Sequence, residues 1–193
     1  TPKGNTSDFI AAAKNQSSPF DLRIEAISHL APVEPGSAQG LTVALLAKAD
    51  STQKSQLTNL LSQSKSGGQV LLASLKNKSL GADTFSLSAA ERLIQAFPND
   101  PSAGKVISVA RQRVAKQREQ AQAKILKMVA YISENPGNAE KGKATFASCY
   151  ACHKVGETGQ EIAPPLDGSG HRDIEHLLTA IIDPDAAVEG GYG

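Results

Sequence analysis

The stretch of sequence that decides the fold of the C-terminal part of the chain is "FASCYACHKVGE", residues 146–157. It contains both cysteines of the 193-residue chain, Cys149 and Cys152, and His153 follows the second cysteine directly. Two thiols and an imidazole at this spacing occur in disulfides, redox dithiols, zinc sites and covalent haem attachment motifs. The surrounding residues must discriminate between these four chemistries.

Two of the four chemistries fit the surrounding sequence poorly. A disulfide between cysteines three residues apart is strained and closes almost no loop. A thioredoxin-type dithiol follows a strand in an α/β fold, whereas "AEKGKATFAS" before Cys149 favours a helix. Zinc stays open as an alternative, because His171 and His176 would complete a set of two thiolates and two imidazoles. The eighteen residues between Cys152 and His171 are long for a zinc finger.

Covalent haem explains the order of the three residues directly. Two thiols add to the porphyrin vinyl groups, and the adjacent histidine binds iron from the same side. Upstream, a short helix places Phe146 one turn before the first cysteine, and downstream "IAPPLDG" forms a loop. The segment "HRDIEHLLTAIIDP" then predicts a packing helix, whose expected inward residues are Ile174, Leu177, Leu178, Ile181 and Ile182. A helix, a loop and a packing helix form a minimal haem pocket.

The composition of the whole chain predicts an all-α protein. Aromatic residues make up 4% of the sequence and tryptophan is absent, which disfavours a β-sandwich. A net charge of +1 gives no indication of nucleic-acid binding. The apolar runs are too short to cross a bilayer, and the first residues lack the pattern of a secretion signal. Such a signal is expected to have been removed or never present.

Short amphipathic segments fill the first two thirds of the chain, separated by Pro, Gly and Ser. The segment "SPFDLRIEAISHLAP", residues 18–32, predicts a helix with Leu22, Ala26, Ile27 and Leu30 on one face. A later segment, "SLSAAERLIQAF", predicts a capping box of Ser88 with Glu91. Helices this short bury their apolar faces only by stacking. Residues 1–132 therefore predict a HEAT-like helical repeat or an irregular bundle.

Residues 104–132 predict one long helix at the end of this first domain. Between residues 105 and 127 the helix carries seven basic residues and one acidic residue. A solvated face explains this pattern, and an alternative is contact with an acidic surface. Such a surface is available, since eight acidic residues oppose four basic ones from residue 141 onward. The polar break "SENPGNAEKG" places the domain boundary near Ser133, with a haem domain at 133–193.

The segment "GKATFASCYACH…APPL…LLTAIIDP" resembles a class I c-type cytochrome. More closely, residues 135–192 resemble the haem-binding CxxCH domains found in planctomycetes and verrucomicrobia. In those proteins helical repeats commonly precede the haem domain, as residues 71–101 would do here. Such units often follow a sugar-dehydrogenase-like β-propeller, which this chain does not contain.

The resemblance implies a role for individual residues. Cys149 and Cys152 would form the thioether bonds to one haem c, and His153 would be the proximal iron ligand. The carbonyl of Pro164 would accept the other ring N–H of that histidine and fix its orientation. Further haem-pocket positions would be Phe146, Leu166 and Arg172, the last as a partner of a haem propionate.

The sixth iron ligand is not identified by the resemblance. Class I cytochromes usually supply a methionine after the last helix, and that region contains none here. Met128 precedes the attachment motif on the long helix, and His171 and His176 are weaker candidates. The expected ligand position lies beyond Gly193, so the chain is expected to be a fragment or a processed form.

The implied function is electron transfer rather than catalysis by the chain itself. The haem domain would serve a periplasmic or otherwise extracytoplasmic dehydrogenase of the sugar-oxidising type, and its partner would be a redox protein. Neither nucleic acid nor a membrane span is expected. Two alternatives stay open: an open-site haem protein acting as a small-molecule sensor or peroxidase, and a zinc-stabilised interaction module.

Overall fold

The structure is a computed structural model that describes residues 5–186. In these residues it contains nine α-helices and one two-stranded antiparallel hairpin, which confirms the all-α prediction. The helices are α1 (Thr6–Lys14), α2 (Phe20–Leu30), α3 (Pro35–Leu46), α4 (Ser51–Leu61), α5 (Lys65–Lys76), α6 (Leu87–Ala96), α7 (Pro101–Glu134), α8 (Ala139–Phe146) and α9 (Ile174–Ile182). The strands of the hairpin are β1 (Lys154–Val155) and β2 (Thr158–Gly159). No helix in this part of the chain is long and apolar enough to span a membrane.

The chain divides into two compact units, Thr1–Val114 and Ala115–Gly193. The division falls within α7, so the second half of this helix groups with the C-terminal unit. The sequence places the boundary of the haem domain further along, near Ser133, and that boundary stays a prediction. The single long helix predicted for residues 104–132 is confirmed, with a further turn at its N-terminus.

The N-terminal unit has a continuous aliphatic core to which helices α1 to α7 all contribute. In α2 the buried apolar residues include Ile24 and Ile27, while Leu22 is 53% exposed. The prediction that Leu22 shares the buried face is therefore wrong. Leu22 is two residues from Ile24, which is about 200° around a helix. The sequence contains enough aliphatic residues on α2 to leave the orientation of its buried face ambiguous.

Helix α6 begins two residues earlier than the predicted capping box implies. The hydroxyl of Ser86 accepts a hydrogen bond from the backbone N–H of Ala89 at 3.1 Å and donates one to Asn59 at 2.6 Å. Ser86 is thus the N-cap, and Ser88 lies inside the first turn. The predicted box of Ser88 with Glu91 is wrong, because the contact with Asn59 on α4 favours the earlier serine.

The start of α7 is fixed by Asp100, which directly precedes Pro101. Its carboxylate accepts a hydrogen bond from the backbone N–H of Ser102 at 2.8 Å and pairs with Lys76 at 2.9 Å. The hydrogen bond from Lys76 lowers the pKa of Asp100 below its ordinary value. One residue before the unit ends, the guanidinium of Arg113 donates to the carbonyls of Asp83 and Phe85. These contacts hold α7 against the helical unit.

Candidate functional site

The two cysteines lie on a tight turn that follows α8. Helix α8 begins at the N-cap Asn138, whose side chain accepts from the backbone N–H of Lys141 at 2.9 Å. It ends at Phe146 and continues as the 3₁₀ turn Ala147–Ala151. The backbone N–H groups of Cys152 and His153 both donate to the carbonyl of Cys149, at 3.2 Å and 2.9 Å. This turn therefore brings both thiols and the imidazole onto one short piece of backbone.

Both thiols are free and accessible to a reaction partner. Cys149 is partly buried and Cys152 is exposed, and no disulfide joins them. Thiols in this state can form thioether bonds, which is the chemistry that the attachment motif requires.

The imidazole of His153 is held by the loop that follows the hairpin. Its Nδ1 atom lies 2.7 Å from the carbonyl oxygen of Pro164. A carbonyl can only accept a hydrogen bond, so Nδ1 carries the proton and Nε2 keeps its lone pair. The ring is half-buried. This tautomer and orientation are those that an iron ligand bound through Nε2 needs.

Backbone hydrogen bonds place Pro164 beside the histidine. The N–H groups of Ile162 and Ala163 donate to the carbonyl of Cys152 at 3.1 Å and 2.8 Å. The N–H of Leu166 donates to the carbonyl of Lys154 at 2.9 Å. The loop containing both prolines is therefore tied at each end to the backbone that follows the second cysteine.

Gly159 in the hairpin β1–β2 lies against the backbone of His153, and the sequence alone does not indicate this role. Gly159 pairs with Lys154 and has a φ of +101°, a region that side-chain-bearing residues rarely adopt. A Cβ atom at this position would overlap with the carbonyl oxygen of His153 and lie 3.1 Å from Cδ1 of Tyr150. The sequence "VGETG" indicates a turn with a glycine at its end. Which residue this glycine faces, and hence the close contact with His153, depends on the strand register.

Aromatic and aliphatic side chains lie around the turn that carries Cys149, Cys152 and His153, which we call the attachment turn. Phe146 packs edge-on against Tyr150, with 5.2 Å between ring centroids and an interplanar angle of 87°. Leu166 and Phe146 are half-buried, while Ile162 is 72% exposed. Tyr150, to which the sequence assigns no role, therefore supports the predicted pocket residue Phe146.

The predicted inward face of α9 is only partly buried by protein. Leu178 is 8% exposed, whereas Ile174 and Ile181 are 40% and 75% exposed. The side chain of Gln122 on α7 donates to Glu175 on α9 at 3.2 Å. Ile125 lies one turn after Gln122 on α7, and Leu178 lies one turn after Glu175 on α9. Among the described residues from position 115 to 186, these two are the buried apolar residues. A second apolar face of α9, which includes Ile174 and Ile181, is therefore exposed to solvent in the described residues.

The donor set and the apolar surface together fit a covalently attached haem. The turn offers two thiols and one imidazole with a free Nε2 lone pair. The domain also has exposed aliphatic side chains of the kind that pack against a porphyrin: Ile162, Ile174 and Ile181. The roles of the individual pocket residues stay predictions.

The predicted propionate partner Arg172 is bound to one of the candidate distal ligands. Its Nη1 atom lies 2.6 Å from Nε2 of His176. A guanidinium only donates, so Nε2 of His176 accepts and its lone pair is engaged in this bond. His171 lies exposed on the turn Ser169–His171, and Met128 is half-buried on α7. As sixth iron ligands, His171 and Met128 both stay predictions.

The zinc alternative is not supported by the geometry. In residues 5–186 no group of three or more His, Cys, Asp or Glu side chains is close enough to hold a metal ion. The set of two thiolates with His171 and His176 is therefore not assembled in the described part of the chain.

Comparison with known families identifies the C-terminal segment. Residues 139–193 match the family model for cytochrome c. The match begins at the first residue of α8 and includes the whole attachment turn and the proline loop. It supports a c-type cytochrome domain with covalently bound haem, haem-based electron transfer and, in general, a redox partner. No curated protein and no solved structure matches the chain.

Proposed function

We propose that the C-terminal domain carries one haem c, attached at Cys149 and Cys152, and transfers electrons for a dehydrogenase outside the cytoplasm. The observation that supports this most directly is the hydrogen bond between Nδ1 of His153 and the carbonyl of Pro164. It orients an imidazole for metal binding within one residue of a free thiol.

Each residue of the attachment turn has a separate role in holding the haem. Cys149 and Cys152 would hold the haem through two thioether bonds, each formed by addition of the S–H group across a vinyl double bond. His153 would bind iron through Nε2, and the carbonyl of Pro164 accepts its Nδ1–H, which raises the basicity of the imidazole. When bound, the haem supplies a one-electron couple between ferric and ferrous iron.

The apolar residues around the turn control exposure to water. Phe146 and Leu166 are half-buried and would contact the porphyrin, together with the exposed Ile162. Excluding water lowers the local dielectric constant and shifts the reduction potential. Arg172 would interact with a propionate, and its bond to His176 limits the orientations of the guanidinium.

The partner and the location of the protein follow from the resemblance. A sugar-type dehydrogenase as electron donor and a periplasmic address are typical of the related haem domains. The N-terminal helices would then be a HEAT-like scaffold. On α7 the exposed basic residues form no ion pair within positions 115–186 and would attract an acidic partner surface: Lys116, Arg118, Lys124 and Lys127.

A second candidate function is an open-site haem protein that binds small molecules or peroxide. It is favoured by the engagement of the Nε2 atom of His176 with Arg172, which removes one candidate sixth ligand. Spectra of the reduced haem-bound chain distinguish the two functions. A low-spin six-coordinate spectrum that does not change with carbon monoxide supports electron transfer. A high-spin spectrum that shifts on addition of carbon monoxide supports the open site and contradicts the first proposal.

A further inference from the structure

We propose that a groove in the N-terminal helical unit binds an organic anion with an apolar body. The groove has a volume of about 400 Å³ and lies between the end of α1, the start of α2, the end of α3 and the start of α4. This volume lies within the range typical of small-molecule sites. The site consists of residues 13–53 and does not depend on the proposed electron transfer.

Three cationic side chains line this groove without a carboxylate among its lining residues: Lys14, Arg23 and Lys48. None of the three forms an ion pair within residues 5–186. The Nε atom of Arg23 donates to the carbonyl of Ala13 at 3.0 Å, which fixes the guanidinium at the wall. Uncompensated positive charge in a concave site raises the local concentration of anions.

Three carboxylates, Asp21, Glu25 and Asp50, lie two residues from one of these cations in sequence, and none of them lines the groove. Asp21 accepts a hydrogen bond from the backbone N–H of Leu22 at 2.9 Å. Asp50 is the N-cap of α4 and accepts from the N–H of Gln53 at 2.8 Å. No carboxylate within residues 5–186 forms an ion pair with Lys14, Arg23 or Lys48, so the positive charge of the groove stays available to a ligand.

Apart from Gln16 and Gln53, the remaining wall of the groove is apolar. Ala13 and Leu45 are 3% and 4% exposed, and Phe20 and Leu41 are partly buried against the core. A hydrated inorganic anion would gain nothing from this surface. A carboxylate or phosphate ester with a hydrocarbon body would bury apolar area and place its charge among the cations. The combination therefore selects amphiphilic anions rather than anions in general.

Four small probes test both requirements on the full chain. Octanoate carries the charge and the apolar body, acetate only the charge, octanol only the apolar body, and octylammonium the opposite charge. Binding is followed by shifts of backbone amide signals in nitrogen-15-labelled protein. We expect saturable shifts with octanoate at residues 13–23 and 41–53, and at least tenfold weaker binding of the other three probes. Equal binding of acetate, octanol or octylammonium overturns the proposal, as does the absence of saturable shifts with octanoate.

Charge variants locate the site. Arg23→Gln and Lys48→Gln are each expected to weaken octanoate binding about tenfold, as for the loss of one charge-assisted hydrogen bond. The matched control is Lys65→Gln, which removes an exposed lysine of the same unit that does not line the groove. If Arg23→Gln disturbs folding, Lys48→Gln still tests the charge, because Lys48 is exposed and has no ion-pair partner in the described residues. Unchanged affinity in Lys48→Gln, or equal weakening in Lys65→Gln, contradicts the assignment. Failure of haem attachment would leave this result unaffected.

Discussion

Replacing Gly159 by alanine should destabilise the haem domain more than an ordinary glycine substitution. The φ of +101° alone costs a side-chain-bearing residue about 1–2 kcal/mol. The added Cβ would overlap with the carbonyl oxygen of His153, so the hairpin must also move. Overpacking of this kind typically adds about 1–3 kcal/mol. We therefore expect Gly159→Ala to lower the free energy of unfolding of the domain by about 3 kcal/mol.

Gly156 provides the matched control on the same hairpin. Its φ is +56°, and a Cβ atom there would meet no atom within 4 Å. Gly156→Ala should therefore cost only about 1 kcal/mol. Urea unfolding of the haem-bound chain, followed by the Soret band, measures both variants. The expected difference of about 2 kcal/mol corresponds to roughly a 30-fold change in the unfolding equilibrium. Equal losses in the two variants would refute the contact between Gly159 and His153.

Three further predictions concern the helical unit, each measured by urea unfolding followed by far-UV circular dichroism. Arg113→Gln should lower the free energy of unfolding by about 2 kcal/mol, because two backbone carbonyls lose a charged donor. The control Arg111→Gln removes an exposed arginine and should change the free energy of unfolding by no more than about 0.5 kcal/mol. Equal effects of the two variants would contradict this prediction. Ser86→Ala should lower the free energy of unfolding by about 1 kcal/mol, because α6 loses its N-cap. A larger effect of Ser88→Ala would contradict this and support the capping box expected from the sequence. The lowered pKa of Asp100 contributes stability above its unfolded pKa of about 3.9, and this contribution is lost as the pH falls through the folded pKa. Asp100→Asn should remove that part of the acid dependence, and an unchanged slope between pH 3 and 6 would contradict it.

The attachment turn could be predicted from the sequence because its chemistry is local. The order of Cys149, Cys152 and His153 is set by reactions that occur within one turn of chain. Pro164 lies eleven residues from His153, and its role came only from the resemblance. Gly159 was missed because its importance depends on which residue it faces across the hairpin. Strand register is not a property of either residue alone.

Burial and capping were harder to predict because they depend on distant residues. Ser86 and Ser88 have the same local preference for an N-cap, and Asn59 on α4 decides between them. The periodicity of α9 indicates which residues share a face. It does not say what covers that face, and Ile181 is 75% exposed to solvent in the protein alone. The bond between Arg172 and His176 is likewise compatible with their spacing of four residues but not required by it.

The most direct test of covalent haem at Cys149 and Cys152 is the intact mass of the chain produced with a c-type maturation system, together with its pyridine haemochrome spectrum. The predicted result is a mass increase of one haem that survives extraction with acidified acetone. The haemochrome should show both vinyl groups saturated, and Cys149→Ser or Cys152→Ser should each give the spectrum of a single thioether. A mass equal to that of the polypeptide alone, or haem that is extracted completely, would contradict the proposed attachment.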